Sequence, residues 1–181
     1  MNHPDIFMVL DVESNGLYGQ PFCIGAVMMN WGGRVMTKTQ FMRCEIDEVE
    51  DEWVLEHVIP RIKHINVTYD NLDELCTHFI EWYQFWSGDR KVPIYVDAGF
   101  PVDYAFLYHV GKVANRDGIN WESPYPVYDI SSILAAKGVD PDINREEYAS
   151  PMIGLASGRK HDPVWDAELS GLCLIRALND E

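Results

Sequence analysis

Four carboxylates and one histidine, Asp11, Glu13, Asp103, Asp166 and His161, have the residue types for hard-cation and proton-transfer chemistry. Asp11 and Glu13 are two apart, where the apolar run IFMVLDV (residues 6–12) gives way to a turn. Side chains alternate across a strand, so both carboxylates project from one face and could share a metal. The same DxE spacing also arises when a strand simply turns polar as it leaves the core. Asp103 opens a helical pattern whose apolar stripe is Phe106, Leu107, Val110 and Ala114, and it lies on that inward stripe itself. An inward carboxylate is costly unless it is paired or binds a cation; at a helix start it could instead cap free N–H groups. Asp97 is its rival. In HDPVWDAELSGLCLIRAL, Asp162 is placed as N-cap and Pro163 at the first helical position, where a missing N–H costs nothing. Asp166 then falls in the first turn, on the face shared with the small residues Ser170, Cys173 and Ala177. His161 precedes the cap, and an imidazole with a pKa near 6.5 suits a base at neutral pH, although a surface histidine has the same appearance.

The elements that must position these groups follow from periodicity. Residues 6–12 read as a buried central strand ended by Ser14-Asn15-Gly16. Phe22 to Met29 and Arg34 to Met42 flank Asn30-Trp31-Gly32-Gly33, a hairpin connection, so the first three strands form an antiparallel meander. Leu72, Leu75, Cys76, Phe79, Ile80, Tyr83 and Trp86 repeat at helical spacing behind Asn71 as N-cap, with Glu74 three residues later. A short strand (Lys91 to Val96), a helix (Asp103 to Ala114), a last strand (Pro126 to Ile130) and a C-terminal helix (Pro163 to Leu178) complete the order β-β-β-α-β-α-β-α. The expectation is a single α/β domain spanning residues 1–181; the order is what a mixed five-stranded sheet, three strands antiparallel and two parallel, with helices on both faces would give, and other α/β folds share it. Gly138 to Lys160 shows no pattern and reads as a lid or binding loop carrying Arg145, Arg159 and Lys160.

Composition narrows the partners. The formal charge is −15, much of it in Glu45 to Glu56, which reads as a solvated acidic face. No basic stripe for gripping a long duplex is present, so short ends are favoured as substrates. Exposed charges are screened beyond about 8 Å at physiological salt, and a local cationic centre could still draw phosphate. Cys23, Cys44, Cys76 and Cys173 are scattered, which suits buried thiols in a reducing compartment. The N-terminus has no basic start and only a short apolar run, so neither secretion nor membrane anchoring is expected, and the cytoplasm is the expected location.

Taken in order, Asp11 and Glu13 on the first strand, Asp103 in DYAFL and the HDPVWD segment resemble the DEDD 3′-to-5′ exonucleases of the histidine subgroup. The resemblance covers residues 5–16, 94–108, 126–134 and 161–178; residues 45–90 carry no motif of the family. Gly99 stands where the family usually has a polar residue four positions before the helical aspartate, which is what keeps Asp97 a rival. The resemblance implies a ribonuclease H-like fold and a metal-dependent exonuclease releasing nucleoside 5′-monophosphates from single-stranded RNA or DNA 3′ ends, RNA being favoured by analogy. It implies two divalent cations, Mg²⁺ or Mn²⁺, held by Asp11, Glu13, Asp103 and Asp166, with His161 as general base. Ser14, Asn15 and Gly16 would cradle the terminal nucleotide, Leu17 or Tyr18 would pack on its base, and Arg145, Arg159 and Lys160 would contact phosphates. Phe106, on the inward stripe, reads as core. A homodimer, in which one subunit supplies substrate contacts to the other, would compensate for a weakly basic surface. The rival readings are a non-catalytic nucleic-acid-binding or scaffold domain of the same fold, and a hydrolase of dinucleotides.

Overall fold

A computed structural model describes residues 5–42, 49–88, 91–115, 123–153 and 159–179. Strand β1 (Ile6–Ser14) lies in the middle of a five-stranded sheet. It pairs antiparallel with β2 (Pro21–Asn30), which pairs antiparallel with β3 (Val35–Met42). On its other side β1 runs parallel to β4 (Ile94–Val96), and β4 runs parallel to β5 (Val127–Asp129), giving the order β3-β2-β1-β4-β5. The β2–β3 turn uses its residues as their types require: Gly33 has φ +81°, its amide donates to the Asn30 carbonyl, and the Asn30 side chain accepts from the amides of Gly32 and Arg34.

The helices are α1 (Glu52–His57), α2 (Ile59–Ile62), α3 (Leu72–Ser87), α4 (Val102–Ala114), α5 (Ile130–Ala136), α6 (Arg145–Ile153) and α7 (Pro163–Asn179). Alternation along β1 sorts them into two layers. Met8, Leu10 and Val12 pack with Leu75 and Phe79 of α3 and Phe106 and Val110 of α4. Phe7 and Val9 pack on the opposite face with Ile130 and Leu134 of α5, Tyr148 and Ala149 of α6 and Ala167, Cys173 and Leu174 of α7. By the same alternation Asp11 and Glu13 leave the sheet on the α7 side. Phe106 is fully buried, as read.

The caps of α3 and α7 are formed as their sequences specify: Asn71 accepts from the Glu74 amide at 2.9 Å, and Asp162 from the amides of Val164 and Trp165 at 3.1 and 3.2 Å. Four helices were not foreseen. The acidic stretch from residue 49 onward keeps Glu52 and Glu56 exposed, yet forms α1, with α2 just beyond it, because Val54, Val58, Ile59 and Ile62 bury themselves against Phe22, Cys23 and Met42. Its earlier part, from Glu45, lies outside the described residues, as does Cys44. The expected strand Pro126 to Ile130 ends at Asp129, whose carboxylate accepts from the Ser132 amide at 2.7 Å and starts α5. Gly138 to Lys160 is not one patternless loop, since α6 occupies its middle; that helix has almost no apolar periodicity and holds to the body through Tyr148, Ala149 and Arg145. Among the described residues no helix is long and apolar enough to cross a membrane.

Candidate active site

The site is assembled where three elements end together. β1 delivers Asp11 and Glu13, and the register slips between Glu13 and Ser14 as the strand leaves the sheet. α4 delivers Asp103, and α7 delivers Asp166 in its first turn. The first turn of α7 comes close to the sheet because Gly25, the register partner of Asp11, has no side chain: a Cβ there would lie 2.2 Å from the Pro163 carbonyl. The Asp166 carboxylate accepts a 2.7 Å bond from the His161 amide. That bond holds His161 at φ +69°, a conformation uncommon for a residue with a side chain. The imidazole Nδ1 thereby stands 3.8 Å from Glu13 Oε1. Glu13, His161 and Asp166 each offer one ligand atom, all within 4.8 Å of one another.

Asp97 and Asp103 differ in what their oxygens meet. Asp97 accepts from Arg145 Nε and Nη2 at 2.6 and 2.8 Å, from Ser131 Oγ at 2.7 Å and from Ser170 Oγ at 2.9 Å. Burial works to raise its pKa, but the bonds and charge of Arg145 outweigh it and hold the carboxyl below its usual value. Asp103 is 7% exposed, and its Oδ1 is buried without a hydrogen-bond partner. An orphaned oxygen of that kind has an explanation if a cation completes it.

All four acids have raised pKa values. Burial first, then Glu13, Asp103, Asp166 and Asp97, push Asp11 well above the carboxylate range. Glu13 is raised to about 8 by burial and by Asp166 and Asp103. Asp103 is raised to about 8, chiefly by burial and despite its own and the Val12 backbone groups. Asp166 is raised to about 6 by burial, against the opposing bond from the His161 amide. His161 is lowered, by burial and then by Lys160, His57 and Arg61, so its imidazole is neutral at neutral pH. Four acids raised together lack positive charge, and hard divalent cations with oxygen ligands fit this donor set.

These groups line a cleft of about 1050 Å³. Of the residues nominated for substrate contact, Ser14, Gly16, Leu17 and Lys160 also line it, with Leu17 65% exposed. Asn15, Tyr18 and Arg159 do not. The Asn15 carboxamide accepts from the amides of Glu50 and Asp51, tying the turn after β1 to the start of α1. The Arg159 guanidinium lies over the Trp165 ring at 5.6 Å. Arg145 lines the cleft, but its guanidinium is engaged by Asp97, Ser131 and the carbonyls of Pro141 and Ile143. Replacing Arg145 by alanine would leave Asp97 charged, buried and short of its partner, so urea denaturation should show a loss of about 3–5 kcal/mol. A loss below about 1 kcal/mol, the value of an exposed pair, would show that the Arg145–Asp97 bridge does not hold α6 to the sheet.

Sequence reading missed Trp53 and Gly25. Trp53 lines the cleft, meets the His161 ring edge-on at 5.3 Å and stacks on His57 at 4.7 Å. Its signal was the i, i+4 run Val54, Val58 and Ile62 hidden among acids. The signal for Gly25 was a lone glycine within a strand, which marks a close backbone approach.

No protein-family model matches the sequence, and no curated protein does. Solved structures do. Exonuclease I, from a structure said to suggest how processivity is achieved, aligns with a TM-score of 0.58 and 14% identity over 95% of this chain. This chain spans 41% of that one. The nuclease domain of 3′hExo, a DEDDh family member bound to rAMP, aligns with a TM-score of 0.54 and 13% identity, covering 96% of this chain and 92% of that one. At these identities the likeness shows the fold, which is the ribonuclease H-like mixed sheet expected from the sequence.

Proposed function

We propose that this chain is a metal-dependent 3′-to-5′ exonuclease that releases nucleoside 5′-monophosphates from single-stranded nucleic acid, with RNA the favoured polymer. The observation that carries the reading is the meeting at one cleft of four acids of raised pKa, Asp103 buried with an orphaned oxygen and the others half-buried, beside a neutral histidine. Asp11, Glu13, Asp103 and Asp166 would hold two divalent cations, Mg²⁺ or Mn²⁺. When bound, such ions stabilise developing phosphoryl charge and make a water more acidic. His161, neutral and anchored through its amide to Asp166, takes the proton of the attacking water as the new O–P bond forms. The bond from phosphorus to the 3′ oxygen of the preceding nucleotide breaks, freeing a 5′-monophosphate. Leu17 and Trp53, on the rim, are placed to keep bulk water from the reacting phosphate.

The test uses single-stranded RNA and DNA labelled at the 5′ end, with Mg²⁺, with Mn²⁺ and with chelator. A ladder shortening from the 3′ end, seen with metal only, is the expected result. His161→Ala should lose roughly 10²–10⁴-fold in turnover, the usual worth of a general base, while metal still raises its melting temperature. No cleavage of any oligomer, dinucleotides included, would favour a binding domain of the same fold. The −15 charge favours short substrates, so comparing dinucleotides with twenty-mers decides between a polymer exonuclease and a dinucleotide hydrolase.

A further inference from the structure

One outward surface of the molecule departs from its acidic character. Helix α4 turns Tyr104, Ala105, Tyr108 and Lys112 to solvent, and none of these is an acid, in a chain with 29 of them. Phe100, 75% exposed, precedes the helix across the cis bond to Pro101 and lines the cleft. Tyr104, Tyr108 and Lys112 recur every four residues along the helix, a stripe that runs away from the cleft end of α4, where Phe100 and Asp103 line the candidate site. Within the helix each step rises about 6 Å, a span that an extended strand covers with one nucleotide. The stripe closes on a cation, since Lys112 Nζ lies 4.4 Å from the Tyr108 ring centroid. The acids that act electrostatically on Tyr104, Asp129 and Asp103, are at its cleft end. The inner face of the same helix carries Asp103 into the cleft and Phe106 and Val110 into the core.

We propose that the outward face of α4 is a stacking track for the single-stranded nucleotides that precede the 3′ end held in the cleft. This rests on the exonuclease reading of that cleft. Aromatic rings bind unpaired bases without regard to sequence. A track of this kind needs little positive charge, which suits a chain without a basic groove and predicts binding that depends weakly on salt. Continuity with the cleft selects this occupant over a second copy of the chain.

Tyr108 is 68% exposed and outside the core, so its truncation removes the Lys112 contact and leaves the core intact. Tyr108→Ala and Tyr108→Phe are compared with the unaltered chain on a dinucleotide and on a twelve-nucleotide single strand. Tyr108→Ala should lose about tenfold in kcat/KM on the longer strand, mainly through KM, the loss of one stacked base. The dinucleotide rate should be unchanged, and Tyr108→Phe should restore the longer one. In parallel, fluorescence anisotropy follows the labelled twelve-mer in chelator, where a weakening of about tenfold is expected. This arm reads the track even if the protein cleaves nothing, so failure of the exonuclease reading is told apart from failure of the track. Four results would overturn the proposal: unchanged handling of the twelve-mer by Tyr108→Ala, an equal loss on the dinucleotide, no engagement of the twelve-mer by the unaltered chain in either arm, or sedimentation showing that Tyr108→Ala converts a dimer to monomers. The last would assign the face to a second copy.

Discussion

Exchanging Asp103 for asparagine should cost about a thousandfold in turnover and, at the same time, stabilise the metal-free protein above neutral pH. The first effect removes a charged oxygen from the cation site; several kcal/mol of transition-state stabilisation corresponds to about three powers of ten. The second follows from linkage. Asp103 is raised from 3.8 to about 8 in the fold, so between those values the folded protein holds a proton that the unfolded chain has released. Stability therefore falls as pH rises through that window, by an amount of order a few kcal/mol, and is unaffected below it. Asparagine keeps the shape without the penalty. Glu13, raised to about 8, Asp166, raised to about 6, and Asp11, raised well above its usual value, add in the same direction. Asp97 has the opposite sign, because its lowered pKa gives stability that is lost only as pH falls through the acidic range. Its contribution does not mask the others near neutrality. Thermal melts near pH 5 and pH 8, with chelator or with Mg²⁺, measure this directly. The metal-free protein should melt lower at about pH 8, and Mg²⁺ should raise the melting temperature more there than at about pH 5. A pH-independent melt without response to Mg²⁺ would sink the cation site, and with it the exonuclease.

Gly25→Ala is expected to lose activity by far more than its cost in stability. The new Cβ would lie 2.2 Å from both the carbon and the oxygen of the Pro163 carbonyl and 2.4 Å from the Val164 nitrogen. These are backbone atoms at the first turn of α7, and they cannot swing aside as a side chain can. The turn must shift, carrying Asp162, the cap, and Asp166, which anchors His161. A displacement of about 1 Å in such a group costs on the order of a hundredfold in rate, and overpacking adds about 1–3 kcal/mol of destabilisation. Gly171→Ala is the control. Its Cβ would meet Met29 Sδ at 2.4 Å and Val9 Cγ2 at 3.0 Å, both side-chain atoms, deeper under the same helix. It should lose comparable stability with much less loss of rate, and Mg²⁺ should still raise its melting temperature. Equal rates for the two variants would mean that the α7 start is not what places Asp166.

Much of this architecture was legible because local rules fixed it. The continuous apolar run of residues 6–12 gave a buried strand, and the alternation of side chains along any strand put Asp11 and Glu13 on one side of it. Asn71 and Asp162, short polar acceptors placed before apolar helical patterns, started α3 and α7 where those patterns began. The turn at Gly33 and the hairpin it closes followed from the backbone freedom of glycine. Helices α1, α2 and α6 were hidden for a physical reason: each is short or weakly amphipathic, and holds its place through distant partners such as Phe22, Met42 and Asp97.

By itself, then, the sequence determined the order of its main elements along the chain, the antiparallel pairing of the first three strands and the nomination of five chemically able residues, because alternation, capping and turn chemistry depend on near neighbours. Only the tertiary structure decided how the nominated groups are used. It engaged Asp97 with Arg145 and left an Asp103 oxygen open, spent Asn15 on α1, and brought Trp53 against His161. Each of those outcomes depends on which charge or donor arrives from a remote element and how much water it displaces, quantities that spacing along one strand or helix does not contain.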